Sequence, residues 1–199
     1  FVYVVGPSGA GKSTFIKMMY REEKPTSGTI TINGRNISNI RNSKVPHFRR
    51  DIGVVFQDFK LLNNLTVYEN VAFALEVTEE KPQEIKKKVM DTLDLVGLKH
   101  KVRMFPTELS GGEQQRVAIA RSIVRSPMLV IADEPTGNLD PETSWEIMKI
   151  FEEINALGTT VVMATHNKDI VNTLQHRVIA IENGHIVRDE QKGEYGYEL

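Results

Sequence analysis

Short apolar runs alternate along the chain with segments whose apolar residues recur at helical spacing. The apolar runs occupy residues 1–5, 53–56, 129–132 and 160–164, and each is typical of a strand that is buried on both faces. The helical pattern is clearest between residues 64 and 98, where one stripe is formed by Ile85, Val89, Leu93 and Val96. This alternation predicts an α/β fold with a mostly parallel core sheet.

Turn and capping signals add detail to this pattern. Asn33-Gly34 and Asn183-Gly184 each follow a β-branched run, which predicts two tight hairpins of antiparallel strands. Thr66 and Glu69 have the spacing of a capping box, which marks the start of a helix. Further helices are expected over residues 12–21 and after Gly112. The central helical stretch is interpreted as an insertion into the α/β body.

Composition limits the classes of protein that fit. The 199 residues are 40% hydrophobic with a mean hydropathy of -0.28 and a net charge of -1, which is typical of a globular domain. A protein built for non-specific nucleic-acid binding usually has a basic excess, so that class is disfavoured. No apolar run approaches the ~18–20 residues of a membrane-spanning helix, so we expect any membrane-spanning part to belong to another chain. Because a strand is already under way at residue 1, we expect residues upstream of it.

A glycine-rich loop follows the first strand. Residues 6–13 match G-x-x-x-x-G-K-[ST] and Thr14 follows, with a strand before and a helix after, which is the context that this motif requires. Its glycines let successive N–H groups point at phosphate oxygens, and the helix dipole adds positive charge. A lysine there can reach the β and γ phosphates, and a serine can bind Mg²⁺. The predicted nucleotide ligands are Gly6, Ser8, Gly9, Ala10, Gly11, Lys12, Ser13 and Thr14.

Two carboxylates end the apolar run at residues 129–132. Asp133 at the strand tip can hold Mg²⁺, usually through water, and Glu134 can polarise the water that attacks the γ phosphate. Taken alone, the pair is better explained as a strand leaving the core for a polar loop. Together with a phosphate loop, the functional interpretation is favoured.

Residues 109–116, Leu-Ser-Gly-Gly-Glu-Gln-Gln-Arg, resemble the signature sequence of the ABC ATPases. Gln57 matches the glutamine loop of that family, the run 138–140 matches its D-loop, and His166 matches its switch histidine. With the phosphate loop and the acidic strand end, six motifs occur in the family's order and cover almost the whole chain. A serine and two glycines before a helix can also face an anion, so the chain carries two phosphate-binding surfaces.

The resemblance implies an ATPase that closes as a head-to-tail homodimer on two ATP molecules. Lys12, Gln57, Glu134 and His166 would then act in catalysis, and Ser13, Gln57 and Asp133 would hold Mg²⁺. The second chain would supply Ser110, Gly111, Gly112, Glu113 and Asp140 to each ATP. It also implies one domain over residues 1–199, with a core and β subdomain at 1–58 and 117–199 and a helical subdomain at 59–116. The antiparallel β subdomain would lack its N-terminal part, and with it the aromatic residue that stacks on adenine in the family.

Within the family, residues 133–140 resemble the branch of cell-division, lipoprotein-releasing and macrolide-exporter ATPases. Residues 53–62, 66–70, 182–190 and 193–197 resemble the FtsE-type cell-division ATPases most, in their Gram-positive form. This implies a membrane subunit resembling FtsX, control of a cell-wall hydrolase, and a location on the cytoplasmic face of the plasma membrane at the division site. We expect the membrane subunit to dock beside Gln57 on Phe59, Leu61, Leu62 and Tyr68, although a core position is about as good an explanation for Leu61 and Leu62.

Three alternatives remain open at this point. An exporter or lipoprotein-extracting ATPase would share the chemistry and differ in its membrane partner. A soluble ABC protein of DNA repair or translation usually has two cassettes or a long coiled coil, and neither pattern is present. A catalytically dead scaffold is disfavoured by the intact Lys12, Asp133, Glu134 and His166.

Overall fold

The computed structural model describes residues 1–76 and 81–196. Within these ranges, six strands form one sheet in the order β4-β5-β6-β1-β7-β8. All neighbours in it are parallel except the pair of β7 and β8. The strands of the chain are β1 Val2–Val5, β2 Thr31–Ile32, β3 Arg35–Asn36, β4 Ile52–Val55, β5 Leu129–Asp133, β6 Thr160–Ala164, β7 Arg177–Glu182 and β8 His185–Glu190. The predicted α/β class with a mostly parallel sheet is confirmed.

Helices cover both faces of this sheet. They are α1 Lys12–Met19, α2 Val45–Arg49, α3 Val67–Glu76, α4 Pro82–Leu95, α5 Gly111–Ile123, α6 Pro141–Ala156 and α7 Lys168–Leu174, with short 3₁₀ turns at Asn42–Lys44, Lys99–Lys101 and Pro106–Glu108. In the part of the chain that the structure describes, none of these helices has the length and apolar character to cross a bilayer.

Side-chain alternation along the strands divides the core into two layers. Tyr3 and Val5 of β1 face one layer together with α3 to α7, while Val4 faces the other together with Ile16 of α1. Strands β5 and β6 alternate in the same way, because successive side chains of a strand point to opposite faces. The strands are therefore covered on both faces, as their continuous apolar runs predict.

The predicted hairpin turns and capping box are confirmed, and the first strand begins one residue later than expected. The hairpins at Asn33-Gly34 and Asn183-Gly184 are present as β2–β3 and β7–β8. The capping box is formed, since the Thr66 N–H donates to Glu69 Oε2 at 2.7 Å before α3. The strand expected over residues 1–5 starts at Val2, and the half-buried Phe1 instead stacks on His176 with ring centroids 4.7 Å apart.

The division into a core and a helical subdomain stays a prediction. Helices α3 and α4 and the first part of α5 lie within the range 59–116 assigned to the helical subdomain. Its expected boundary at residue 116 falls inside α5, which runs unbroken from Gly111 to Ile123. Helix α5 thus connects the signature sequence at its start to the edge of the core sheet, where it packs against β4.

Candidate nucleotide-binding and hydrolysis site

The predicted chemical groups gather at one edge of the sheet. The phosphate loop leaves β1, Gln57 follows β4, Asp133 ends β5, and His166 follows β6. These four strands are parallel, so their carboxyl ends meet at the same edge. The register places Ala164 beside both Val4 and Asp133. The topology therefore brings motifs that are far apart in sequence into one site.

The β7–β8 hairpin packs against the phosphate loop and restricts its backbone. Gly6 has φ 144°, and a Cβ added to it would collide with the backbone carbonyl of Ile181. The Gly184 N–H donates to the Ala10 carbonyl at 2.9 Å and fixes the middle of the loop. Ser8, Gly9, Ser13 and Thr14 are exposed, and Ala10 is buried. The side chain of Lys12 contacts the loop itself, since its Nζ donates to the carbonyls of Gly6 at 2.8 Å and Pro7 at 3.1 Å.

Glu134 sits in a backbone conformation that a side chain rarely adopts. Its φ is 50°, and its N–H donates to the Ala164 carbonyl at 2.9 Å. The carboxylate accepts from the backbone N–H of His166 at 3.2 Å, and His166 Nδ1 lies 2.7 Å from the same oxygen. Such strain persists where the surrounding structure imposes it, and it clusters at functional sites. Glu134 and His166 therefore form a fixed pair beside the phosphate loop.

The ionised form of the Asp133 carboxyl is destabilised by its surroundings. Burial raises the pKa of its carboxyl, the negative charge of Glu134 raises it further, and Lys12 and Lys17 oppose the rise. Perturbed carboxylates of this kind are typical of functional sites. A cation bound at Asp133 would stabilise the ionised carboxylate.

The donors at this edge fit Mg²⁺ in their chemistry. Oxygen ligands are what Mg²⁺ prefers, and the exposed Ser13 hydroxyl, the exposed Gln57 amide and the Asp133 carboxylate supply them. The described residues contain no cluster of three or more His, Cys, Asp or Glu that could hold a metal by themselves. This is expected for Mg²⁺ in phosphate-transfer sites, where substrate phosphates and water complete the coordination.

Gln57 is engaged with the D-loop of its own chain. Its Nε2 donates to Asn138 Oδ1 at 3.2 Å, and Asn138 Nδ2 donates back to the Gln57 carbonyl at 3.3 Å. Two residues further on in the same loop, Phe59 and Lys60 both have positive φ, and Arg121 of α5 donates to both of their carbonyls. The glutamine loop is thereby tied to the D-loop on one side and to the signature helix on the other.

The signature forms the start of α5. The Ser110 hydroxyl caps the helix by accepting from the Glu113 N–H at 3.3 Å, and Glu113 accepts from the Ser110 N–H at 2.9 Å. Gly112 is buried against Thr143 of α6, where a Cβ would come closer than 3.0 Å to Thr143 Cγ2. Asp140 caps α6 by accepting from the Thr143 N–H at 3.0 Å and from its hydroxyl at 2.6 Å, and these bonds lower the pKa of Asp140.

The predicted residues thus divide into two groups. The phosphate loop, Gln57, Asp133, Glu134 and His166 lie at the strand ends. Ser110 to Glu113 and Asp140 lie where α5 meets α6, and the D-loop connects the two groups through Asn138. Thr143 and Arg121, which hold the signature and the glutamine loop, are missed by sequence reasoning, since nothing in their spacing distinguishes them from other helix residues.

The chain is similar to known proteins over almost its full length. The family model described as ABC transporter matches residues 1–137. The chain is 72% identical over 196 residues to the cell division ATP-binding protein FtsE of Bacillus subtilis, which covers 98% of this chain and 86% of that protein. It is 53% identical to the protein of the same name from Mycobacterium tuberculosis, covering 98% of this chain and 85% of that one.

Solved structures share the whole fold. The ATP-binding cassette MJ0796, in a dimeric post-hydrolysis state with ADP and Pi bound, superposes with a TM-score of 0.86 at 35% identity, covering 99% of this chain and 86% of that one.

Proposed function

The chain belongs to the ABC transporter family and, within it, to the FtsE cell division ATP-binding proteins, and we propose that it powers a membrane complex by closing as a homodimer on two ATP molecules. Its activity is the hydrolysis of ATP to ADP and phosphate. The proposal further assigns it a membrane partner resembling FtsX and a role in regulating peptidoglycan hydrolysis during cell division.

We infer a homodimer because the chain has two predicted phosphate-binding surfaces, each held in place by a different part of the fold. The phosphate loop is backed by the β7–β8 hairpin, while the signature at the start of α5 is backed by α6. Each surface is the N-terminus of a helix, which favours an anion. A head-to-tail pair would place the signature of one chain against the phosphate loop of the other, and the arrangement is self-complementary. The cassette MJ0796 is described as dimeric in its ADP-bound and Pi-bound state.

The hydrolytic roles follow from the pair at the end of β5. Glu134 is oriented by its contacts with His166, so its free oxygen can take a proton from a water that attacks the γ phosphate. Because an ionised carboxylate only accepts hydrogen bonds, His166 Nδ1 would donate to Glu134, and Nε2 could donate to a γ-phosphate oxygen only when it carries a proton as well. The side-chain nitrogen of Lys12 would leave the carbonyls of Gly6 and Pro7 and bind the phosphates instead. Mg²⁺ bound by Ser13, Gln57 and Asp133 would neutralise phosphate charge.

ATP closure would also change the contacts of the glutamine loop. The side-chain oxygen of Gln57 would bind Mg²⁺, and this would reposition the amide whose Nε2 donates to Asn138 Oδ1 in this structure. The D-loop residue Asp140 would then face the second chain. Through Arg121, a shift of the glutamine loop is passed to α5 and to the helical subdomain proposed for residues 59–116. The ATP site is thereby linked mechanically to the surface where a partner would bind.

A groove of ≈ 420 Å³ beside the glutamine loop is the proposed docking site for the membrane partner. It is lined mainly by apolar side chains, and Leu62 and Phe73 in it are 37% and 49% exposed. Of the four residues expected to form this surface, Leu61 and Tyr68 pack against the core instead. The ring of Phe59 lies beside Gly111. Leu62 stays a candidate, and Phe73 on α3 joins it because its apolar ring is half exposed without a core role.

A pull-down with the FtsX-like subunit tests the docking site. Leu62→Asp and Phe73→Asp should each abolish co-purification while leaving the thermal midpoint and the ATPase activity of the isolated chain intact. Leu157→Asp is the matched control, since Leu157 is 72% exposed and lines a different groove. Retention of the partner by both groove variants would exclude this site. Co-purification of an exporter-type membrane chain would instead favour a transport role.

A further inference from the structure

A fully buried glutamine joins the signature helix to the turn that follows β5. Gln115 lies on α5, two residues after Glu113, and it is excluded from solvent. Its Nε2 donates to the Pro135 carbonyl at 2.6 Å, whereas its Oε1 is buried without a hydrogen-bond partner among the described residues. A buried oxygen that accepts no hydrogen bond lowers stability, and such a group in a native structure requires an explanation.

The turn that accepts this hydrogen bond carries the hydrolytic carboxylate. The Glu134 N–H donates to the Ala164 carbonyl at 2.9 Å, and the Glu134 carbonyl accepts from the Gly137 N–H at 3.0 Å. The next residue, Pro135, is buried and has no N–H, so its carbonyl is the backbone group that can be hydrogen-bonded. Ala164 therefore holds Glu134 itself, and Gln115 holds the peptide immediately after it.

We propose that Gln115 is a positioning residue for ATP hydrolysis, which fixes the turn behind Glu134 and ties that turn to the signature helix. One part of this inference rests on the proposed homodimer. There, the signature of a chain faces the ATP on its partner's phosphate loop, whereas Glu134 acts on the ATP of its own loop. The bond from Gln115 to Pro135 thus connects the two ATP sites within one chain, and a shift of α5 on closure is passed to Glu134.

Mg-ATP turnover of Gln115→Met tests the positioning role. Methionine keeps the length of the side chain and removes the amide. Because a misplacement of about 1 Å can cost 10²-fold in rate, kcat should fall between about 10- and 100-fold. KM should stay within about twofold, since no contact with ATP is lost. Asn155→Leu is the matched control. It removes an amide-to-carbonyl bond of 2.9 Å to Thr159, at the far end of α6, and should leave kcat unchanged.

Amide hydrogen exchange tests the same bond without turnover or dimerisation. Exchange over residues 134–137 should be roughly 2- to 10-fold faster in Gln115→Met than in wild type, and unchanged there in Asn155→Leu. Gln115→Asn, whose amide is one methylene shorter, should change exchange and kcat in the same direction and serves if the methionine variant does not fold.

A double-mutant cycle separates action through Glu134 from a general loss of activity. In the Glu134→Gln background, Gln115→Met should not lower the residual hydrolysis further, because its influence passes through the carboxylate. Wild-type kcat and wild-type exchange over residues 134–137 in Gln115→Met, or additive losses in the double variant, would overturn the inference. Failure of the homodimer would be seen separately, as a wild-type chain that stays monomeric with ATP, and the exchange comparison would still decide the role of Gln115.

Discussion

The contact between the signature and the D-loop helix predicts a specific clash and its rescue. In Gly112→Ala, the added Cβ would come closer than 3.0 Å to Thr143 Cγ2. The rest of Thr143 is not crowded, since its Cβ and Oγ1 would lie 3.7 and 3.9 Å from the new atom. The methyl group cannot simply rotate away, because Thr143 Oγ1 donates to Asp140 at 2.6 Å and fixes the rotamer.

The expected cost is that of overpacking a buried position, about 1–3 kcal/mol. For a chain of this size, each kcal/mol shifts the thermal midpoint by about 2–4 °C, so Gly112→Ala should melt roughly 2–12 °C below wild type. Thr143→Ser removes the clashing methyl and keeps the hydroxyl bond to Asp140. Alone it should cost about 1 kcal/mol for the lost methyl contact, but in Gly112→Ala it should restore most of the lost stability.

Thermal and urea unfolding of the two single variants and the double variant measure this coupling. Gly111→Ala is the matched control, because its Cβ would meet Leu139 Cδ2 at 3.5 Å and Phe59 at 3.8 Å, which are ordinary contacts. It should unfold near the wild-type midpoint. If the effects of Gly112→Ala and Thr143→Ser add, or if both glycine variants are equally stable, the steric explanation is wrong.

Three other predictions concern the loops around the site. Gly6→Ala should abolish ATP binding and lower stability, as measured by calorimetry and thermal unfolding, because its Cβ would meet a backbone carbonyl of β7 at a φ of 144°. Arg121→Lys should reduce both ATPase activity and the thermal midpoint, since one ammonium group replaces a fork that binds two carbonyls at residues 59 and 60. Asp140→Ala should destabilise the chain at neutral pH. The pKa of Asp140 is lowered from its ordinary 3.8, so the difference in urea midpoint should be constant above that pH and vanish as the pH falls through the lowered pKa.

The elements that the sequence predicts well are those with strong local signals. The buried strands 129–132 and 160–164 and both Asn-Gly hairpins occur where expected, since their apolar runs and turn residues have few alternative conformations. The long helix α6, Pro141–Ala156, is not predicted, although Asp140 and Pro141 form a good start signal for a helix.

The candidate site is also only partly predictable from the sequence. The motifs predict which side chains would contact ATP, because the phosphate chemistry restricts their type and spacing. They do not predict which contacts these side chains make within the chain, such as the pairing of Gln57 with Asn138, since that depends on strand order.

The ATP-clamp mechanism is tested most directly by comparing wild type with Glu134→Gln in Mg-ATP hydrolysis and in sedimentation with ATP. The amide keeps the shape of the side chain and removes its charge and basicity, so hydrolysis should fall at least about 100-fold, while ATP should convert the variant to a dimer. Glu153→Gln, an exposed glutamate on α6, should behave as wild type. Hydrolysis by Glu134→Gln at the wild-type rate, or a variant that binds ATP and stays monomeric, would contradict the account.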